Sequence, residues 1–182
     1  MIHQPKGLNL DKAIEVAVDS HRGQYREGDA PLPYITHPFE VANAVRYIGG
    51  VSDPVLLAVA YLHDTVESGN IKLETIEREF GSEIAKLVGE LTRSEPTAAE
   101  IANLKKSEIW EIRSELLLAD IRRMSMGAQI VKLGDRLCNL QDSFRFKKGK
   151  KLDRYLRQTR MILEIVPRSV NPDLWDAIAN RI

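Results

Sequence analysis

Apolar residues recur at helical spacing along nearly the whole chain, as in Leu10, Ile14, Val16 and Ala17 and again in Val51, Val55, Leu56, Val59 and Ala60. Runs that alternate apolar with polar residues are absent. Such a pattern buries one face of a helix and offers no half-buried face of a sheet, so the expected fold is all-α, a compact bundle of many helices. The spacing predicts helices over 9–24, 38–48, 53–67, 72–78, 81–93, 98–123, 126–144, 151–166 and 172–181. Asp53 before Pro54, and Asn171 before Pro172, each have the form of an N-cap followed by proline at the first helical position. The stretch from Glu27 to Pro38 reads as an irregular loop that delivers Tyr34-Ile35-Thr36-His37-Pro38 to the next helix. With 182 residues, 43% of them hydrophobic and no internal repeat, one domain with a sizeable core is expected.

Charge narrows the partners. Lys plus Arg equals Asp plus Glu at 26 each, so no whole-protein field attracts polymeric nucleic acid or an anionic membrane, and a small molecule is the expected partner. The N-terminus lacks the pattern of a secretory leader, and no apolar run approaches the roughly 20 residues needed to span a bilayer. A soluble, cytoplasmic protein is expected. The single cysteine, Cys138, has no partner for an internal disulfide, which agrees with a reducing compartment.

Against this apolar background, two predicted helices carry polar clusters. On the first, His63, Asp64 and Glu67 are spaced to project to one side; on the second, Lys132, Asp135 and Asn139 do the same. His37 lies upstream. Any one of these reads alone as an ordinary surface residue. Two histidines and two aspartates buried together without a cation are costly, whereas one divalent ion compensates their charge and satisfies their lone pairs. Imidazole and carboxylate ligands suit Mn²⁺ or Fe²⁺, with positions left for water and substrate.

In order along the chain, His21-x-x-Gln24, YITHP, LHDTVE and KLGDRLCNL resemble the hydrolase domain of the RelA/SpoT alarmone enzymes, a branch of the HD superfamily of metal phosphohydrolases. The similarity is greatest to the single-domain small alarmone hydrolases and covers about residues 9–166. Residues 167–182 then form a C-terminal helical extension of one domain, 1–182. The resemblance implies the all-helical HD fold and one Mn²⁺, or Fe²⁺ or another divalent ion in its place, held by His37, His63, Asp64 and Asp135. It implies an enzyme that removes the 3′-pyrophosphate of ppGpp or pppGpp to give GDP or GTP. Glu67, one turn from the ligands, orients or deprotonates the attacking water, and Asn139 bonds the water or the sugar-phosphate. Arg26 matches the first residue of an Arg-Lys pair near the nucleotide. Lys151 and Tyr155 fall where the small hydrolases place a basic residue and a nucleotide-contacting tyrosine. Lys132 is either a phosphate contact or the partner of a ligand carboxylate, and His21 and Gln24 support the ligands from behind.

The chain departs from the family's pattern at two positions that face the substrate. Ser68 stands where a second acid usually follows Glu67, and Glu27 stands where the Arg-Lys pair usually ends in Lys. One anion is lost and one cation becomes an anion. Two alternatives therefore stand beside the alarmone reading: an HD phosphohydrolase of another phosphorylated nucleotide or nucleotide cofactor, and a non-catalytic nucleotide-binding regulatory module.

The remaining polar features read more plainly. Cys138, Trp110 and Trp175 are expected to pack, and Met124 and Met126 to fill a helix junction. His3 is expected on a mobile terminus. The basic run 145–151 is either a phosphate entrance or a solvated helix end. The charged segment 93–127, with Lys105, Lys106, Arg113, Arg122 and Arg123, predicts a long amphipathic helix that either covers the pocket or pairs with a second subunit in a homo-oligomer.

Overall fold

The computed structural model describes residues 8–27, 31–68 and 71–182, and His3 lies outside them. The described residues are mostly helical, with no strand among them and one isolated antiparallel bridge that joins Tyr25, just before the predicted loop, to Pro33 inside it. The elements run α1 (Leu10–Ser20), α2 (Thr36–Asn43) continued by a π-helical turn (Ala44–Ile48), α3 (Pro54–Leu62), α4 (Leu73–Phe80), α5 (Ser82–Leu91), α6 (Ala98–Ile101), α7 (Lys106–Arg123), α8 (Met126–Phe146), α9 (Lys150–Ile165), a 3₁₀ turn (Arg168–Val170) and α10 (Pro172–Ala179). No described helix is long and apolar enough to cross a membrane.

Helix α8 is the axis of the bundle. Every residue from Ile130 through Cys138 is buried, because α2, α3, α5, α9 and α10 all pack on it. A helix buried all round is normally apolar all round, yet α8 places Lys132, Asp135 and Arg136 inside. Gly134 lets α2 come close: a Cβ there would stand 2.8 Å from Val45 Cγ2. Close approach of α2 brings its first turn, with His37, to the level of Asp135.

The two predicted caps form. Asp53 Oδ1 accepts the Val55 N–H at 2.9 Å, and Asn171 Oδ1 accepts the Leu174 N–H at 3.0 Å. Asn171 also donates to the Gly49 carbonyl at 2.8 Å, which fastens α10 to the turn after α2. Other boundaries differ from the pattern. The expected helix 53–67 stops at Leu62, because His63 Nδ1 takes the Ala60 carbonyl at 2.9 Å, Thr65 Oγ1 takes that of Leu62 at 2.7 Å and Ser68 Oγ takes that of Asp64 at 2.9 Å. These side chains satisfy the carbonyls that further helix would have used. The expected helix 98–123 is broken into α6 and α7, each started by its own acidic residue: Glu100 accepts the Thr97 N–H and Glu108 the Lys105 N–H, both at 2.7 Å. The first helix ends at Ser20, so His21 and Gln24 lie in the turn after it. Met124 is buried at its helix junction, whereas Met126 is 64% exposed and fills no gap.

Candidate functional site

Three elements converge on a buried His–Asp cluster: the first turn of α2 with His37, the tight turn after α3 with His63 and Asp64, and the middle of α8 with Asp135. Ligand atoms of His37, His63 and Asp135 all lie within 4.8 Å of one another. Asp64 is not one of these three, but its Oδ2 lies beside them at 3.6 Å from His37 Nε2 and 3.3 Å from His63 Nε2, and Asp135 Oδ1 stands 3.3 Å from His37 Nε2. His63 Nδ1 donates to the Ala60 carbonyl, so its Nε2 carries the lone pair. That Nε2 is buried without a hydrogen-bond partner. A buried unpaired acceptor facing two carboxylates fits a divalent cation. Without an ion, burial opposes a proton on His63, but Asp64 and Asp135 outweigh it and raise its pKa to about 9, so a proton then takes the place on Nε2 that a cation would hold. The cluster attracts positive charge.

The carboxylates are held ionised. Burial opposes the charge of Asp135, but the Lys132 ammonium, at 2.8 Å from Oδ2, and the two histidines outweigh it, so its pKa lies well below the usual range. Asn139 donates its amide to Asp135 Oδ1. Asp64 is likewise lowered, with His63 the main force against its burial. Lys132 is thus the partner of the Asp135 carboxylate, and it also lines the adjoining cavity.

Glu67 lies at the edge of the cluster, where Arg93 holds it: Nη1 is 3.5 Å from Oε1, and the Arg93 N–H reaches Oε2 at 3.4 Å. Burial raises the Glu67 pKa above that of a free glutamate, and the Arg93 cation works in the opposite direction. The His21 ring donates through Nδ1 to Gln24 Oε1 at 2.9 Å, because the Gln24 amide nitrogen is occupied by the Ser68 carbonyl at 2.7 Å. These two residues brace the turn that carries Asp64. Ser68 takes part in the same brace.

A cavity of about 400 Å³ opens beside the cluster, lined by α7, α8 and α9. Arg93, Arg113, Lys132, Arg136 and Lys147 give it cationic walls, with Trp110, Tyr155 and Asn139 among the other lining groups. Helix α7 therefore covers the pocket, one of the two roles open to it. Two expected substrate contacts lie elsewhere. Lys151 is exposed on the first turn of α9 and is not among the lining residues; from the basic run, Lys147 lines the cavity. Both arms of the Arg26 guanidinium are engaged, with Glu40 at 2.5 Å and with Asp142. Its pKa is raised, since these partners outweigh burial, and it borders a second pocket of about 220 Å³ with Glu27, Tyr34, His37 and Asn139.

Reading the sequence missed Tyr34, Arg93 and Arg136, and it offered Lys147 only within the basic run 145–151. Tyr34 donates its hydroxyl to Asp64 Oδ2 at 2.6 Å and lies against the rings of His21 and His37. Its position three residues before His37 was the available signal. For Arg136 the signal was its spacing from Lys132 and Asn139, four and three residues along the same helix.

The family description HD domain matches residues 13–162. The chain belongs to the HD-domain family. Within that family it is similar to guanosine-3′,5′-bis(diphosphate) 3′-pyrophosphohydrolase MESH1 of Homo sapiens, at 37% identity over 137 residues, 75% of this chain and 70% of that protein. It is also 32% identical over 194 residues to the GTP pyrophosphokinase rsh of Brucella melitensis, covering 95% of this chain and 24% of that longer protein. A solved structure, described as a metazoan ortholog of SpoT that hydrolyzes ppGpp, shares the fold with a TM-score of 0.81 at 24% identity, covering 100% of this chain and 96% of that one.

Proposed function

We propose that this chain is a metal-dependent 3′-pyrophosphohydrolase of guanosine 3′,5′-bis(diphosphate), with Mn²⁺ as its working ion, converting ppGpp or pppGpp to GDP or GTP and pyrophosphate. One observation carries the reading: a His–Asp cluster with an unpaired buried lone pair adjoins a cavity lined by five cationic side chains. The named relatives supply the substrate. The cavity volume suits one small nucleotide, so we infer a cytoplasmic enzyme of small molecules, without nucleic-acid or membrane partners. We read residues 1–182 as one hydrolase domain, with Leu174 and Ile178 of α10 seating the last segment in the core.

His37, His63, Asp64 and Asp135 would hold the ion, which when bound supplies Lewis-acid polarisation of the phosphoryl group and a water of lowered pKa. The other steps belong to the protein's own groups. Glu67, basic because burial raises its pKa, takes the proton of the attacking water. Asn139, whose amide nitrogen is committed to Asp135, keeps its carbonyl oxygen for a water or ribose hydroxyl. Lys132 maintains Asp135 as an anion, and Tyr34 orients Asp64. The cationic walls oppose the charge that gathers on the leaving pyrophosphate. Tyr155 meets the nucleotide, and Arg26 and Ser68 act by bracing the site.

Glu27, beside Arg26 in the smaller pocket, favours one other reading, another phosphorylated nucleotide as substrate. An assay on metal-stripped protein resupplied with Mn²⁺ separates them. Pyrophosphate released from ppGpp is the expected result; phosphate released only from other nucleotides would move the substrate and keep the site.

A further inference from the structure

The cations that line the large cavity are not equally occupied. Lys132 is paired with Asp135, Arg93 with Glu67 and Glu95, and Arg113 with Glu95 at 2.7 Å. Arg136 and Lys147 have no carboxylate within 4.0 Å among the described residues. Arg136 is only 4% exposed, and its Nη1 has no hydrogen-bond partner. A guanidinium keeps its charge at any pH a protein survives, so its burial without a counter-ion is costly. The Tyr155 ring, 4.5 Å from the guanidinium carbon, offsets part of that cost, and the same ring has the Lys147 ammonium at 5.1 Å. Neither contact supplies a negative charge.

The neighbouring polar groups also present donors. Arg136 Nη2 donates to Gln158 Oε1 at 2.8 Å, which turns the Gln158 amide nitrogen toward Ser114 Oγ, also at 2.8 Å. Ser114 accepts there, and its own hydroxyl proton is left to donate. Arg136, Lys147 and Ser114 thus offer donors to one cavity, and Asp135, the one carboxylate among its lining residues, is committed to Lys132 and to the metal cluster. A ligand group that satisfies them must be anionic and rich in acceptors, as a phosphate is.

We propose that Arg136 and Lys147, set against Tyr155, form a second anion subsite that takes the phosphate group of the substrate that is not cleaved. This rests on the nucleotide reading above: with the scissile pyrophosphate at the His–Asp cluster, the 5′-phosphates of the same nucleotide lie on Arg136. Arg136 is then a specificity-determining residue, and the subsite selects nucleotides phosphorylated at both ends of the ribose.

The test compares ppGpp with guanosine 3′-diphosphate, which lacks the 5′-phosphates, in the wild-type protein and in Arg136→Gln and Lys147→Gln. Because Lys147 is partly exposed, its variant keeps the test available if Arg136→Gln does not fold. Each substitution is expected to raise KM for ppGpp by about tenfold or more, the worth of a charged hydrogen bond, and to raise KM for the shorter nucleotide far less. Equal losses on both substrates would assign Arg136 to the support of Tyr155 alone and overturn the proposal. Calorimetric titration of inorganic pyrophosphate into metal-free protein is the second arm. Binding weakened by both substitutions supports the subsite even if ppGpp is not turned over, in which case the substrate reading fails separately. No binding by the wild-type protein, or binding that neither substitution changes, overturns the subsite.

Discussion

The two ends of the site make opposite demands on the same helix. Where α8 meets α2 and the turn after α3, Asp135 joins Asp64 and two histidines, and the excess of lone pairs and negative charge calls for a cation. Where α8 meets α7 and α9, Arg136 and its neighbours present donors that call for an anion. Lys132 stands between, bonded to Asp135 and lining the cavity. A metal-bound phosphate ester meets both demands at once. On the proposal made above, the adjacent residues Asp135 and Arg136, both buried on a core helix, belong to two binding sites.

Substitutions on the two sides should therefore fail differently. The largest loss is expected from Asp135→Asn. Turnover of ppGpp should fall about a thousandfold or more, since a Lewis acid supplies several kcal/mol. Metal content, read by elemental analysis, should fall with it. The change also leaves Lys132 buried without its anion, at a cost of about 3 kcal/mol in denaturant unfolding of the metal-free protein. Metal retained at full occupancy would remove Asp135 from the cluster.

Glu67→Gln separates chemistry from metal binding. It should lower kcat by about a hundredfold or more while the protein keeps its ion. The pH profile carries the sign of the Glu67 shift. The ionised carboxylate is the base, so activity is present above its pKa and is lost as pH falls through it. Burial raises the Glu67 pKa above the 4.5 of a free glutamate in the metal-free protein, and the charge of a bound ion works against that rise. Arg93→Gln removes the opposing cation and should move the limb to still higher pH; movement to lower pH would contradict the pairing.

A smaller effect tests how the two sides are held together. In Gly134→Ala the new methyl meets Val45 Cγ2 at 2.8 Å, so Val45, in the turn that continues α2, must shift away from α8. The expected cost is about 1–3 kcal/mol of stability, with weaker metal binding because His37 moves with α2. The least change concerns Cys138, whose thiol is buried and pushed up to about 12. Native protein should resist alkylation at pH 8 and label fully in urea; rapid native labelling would show that the metal side of α8 is more open than described.

The metal side was far more legible in the sequence than the anion side, for a physical reason. His37, His63, Asp64 and Asp135 interrupt apolar helices with groups that have no place in a core unless a cation joins them. Arg136 and Lys147 look like ordinary basic residues until burial and the missing counter-ion are visible. Lys147 and Lys151 lie four residues apart in a basic run, and the break between α8, which ends at Phe146, and α9, which starts at Lys150, decides which of them faces the cavity. The caps at Asp53 and Asn171 were readable because they act locally. The end of α3 at Leu62 was not, because helical periodicity registers apolar spacing and does not register His63, Thr65 and Ser68 competing for backbone carbonyls.

Anomalous diffraction from crystals grown with Mn²⁺ and a non-hydrolysable ppGpp analogue would test both demands in one map. A single Mn²⁺ peak between His37, His63, Asp64 and Asp135, with the 3′-phosphates at the ion and the 5′-phosphates on Arg136, is the predicted result. Manganese bound elsewhere, or the analogue seated away from α8, would contradict it.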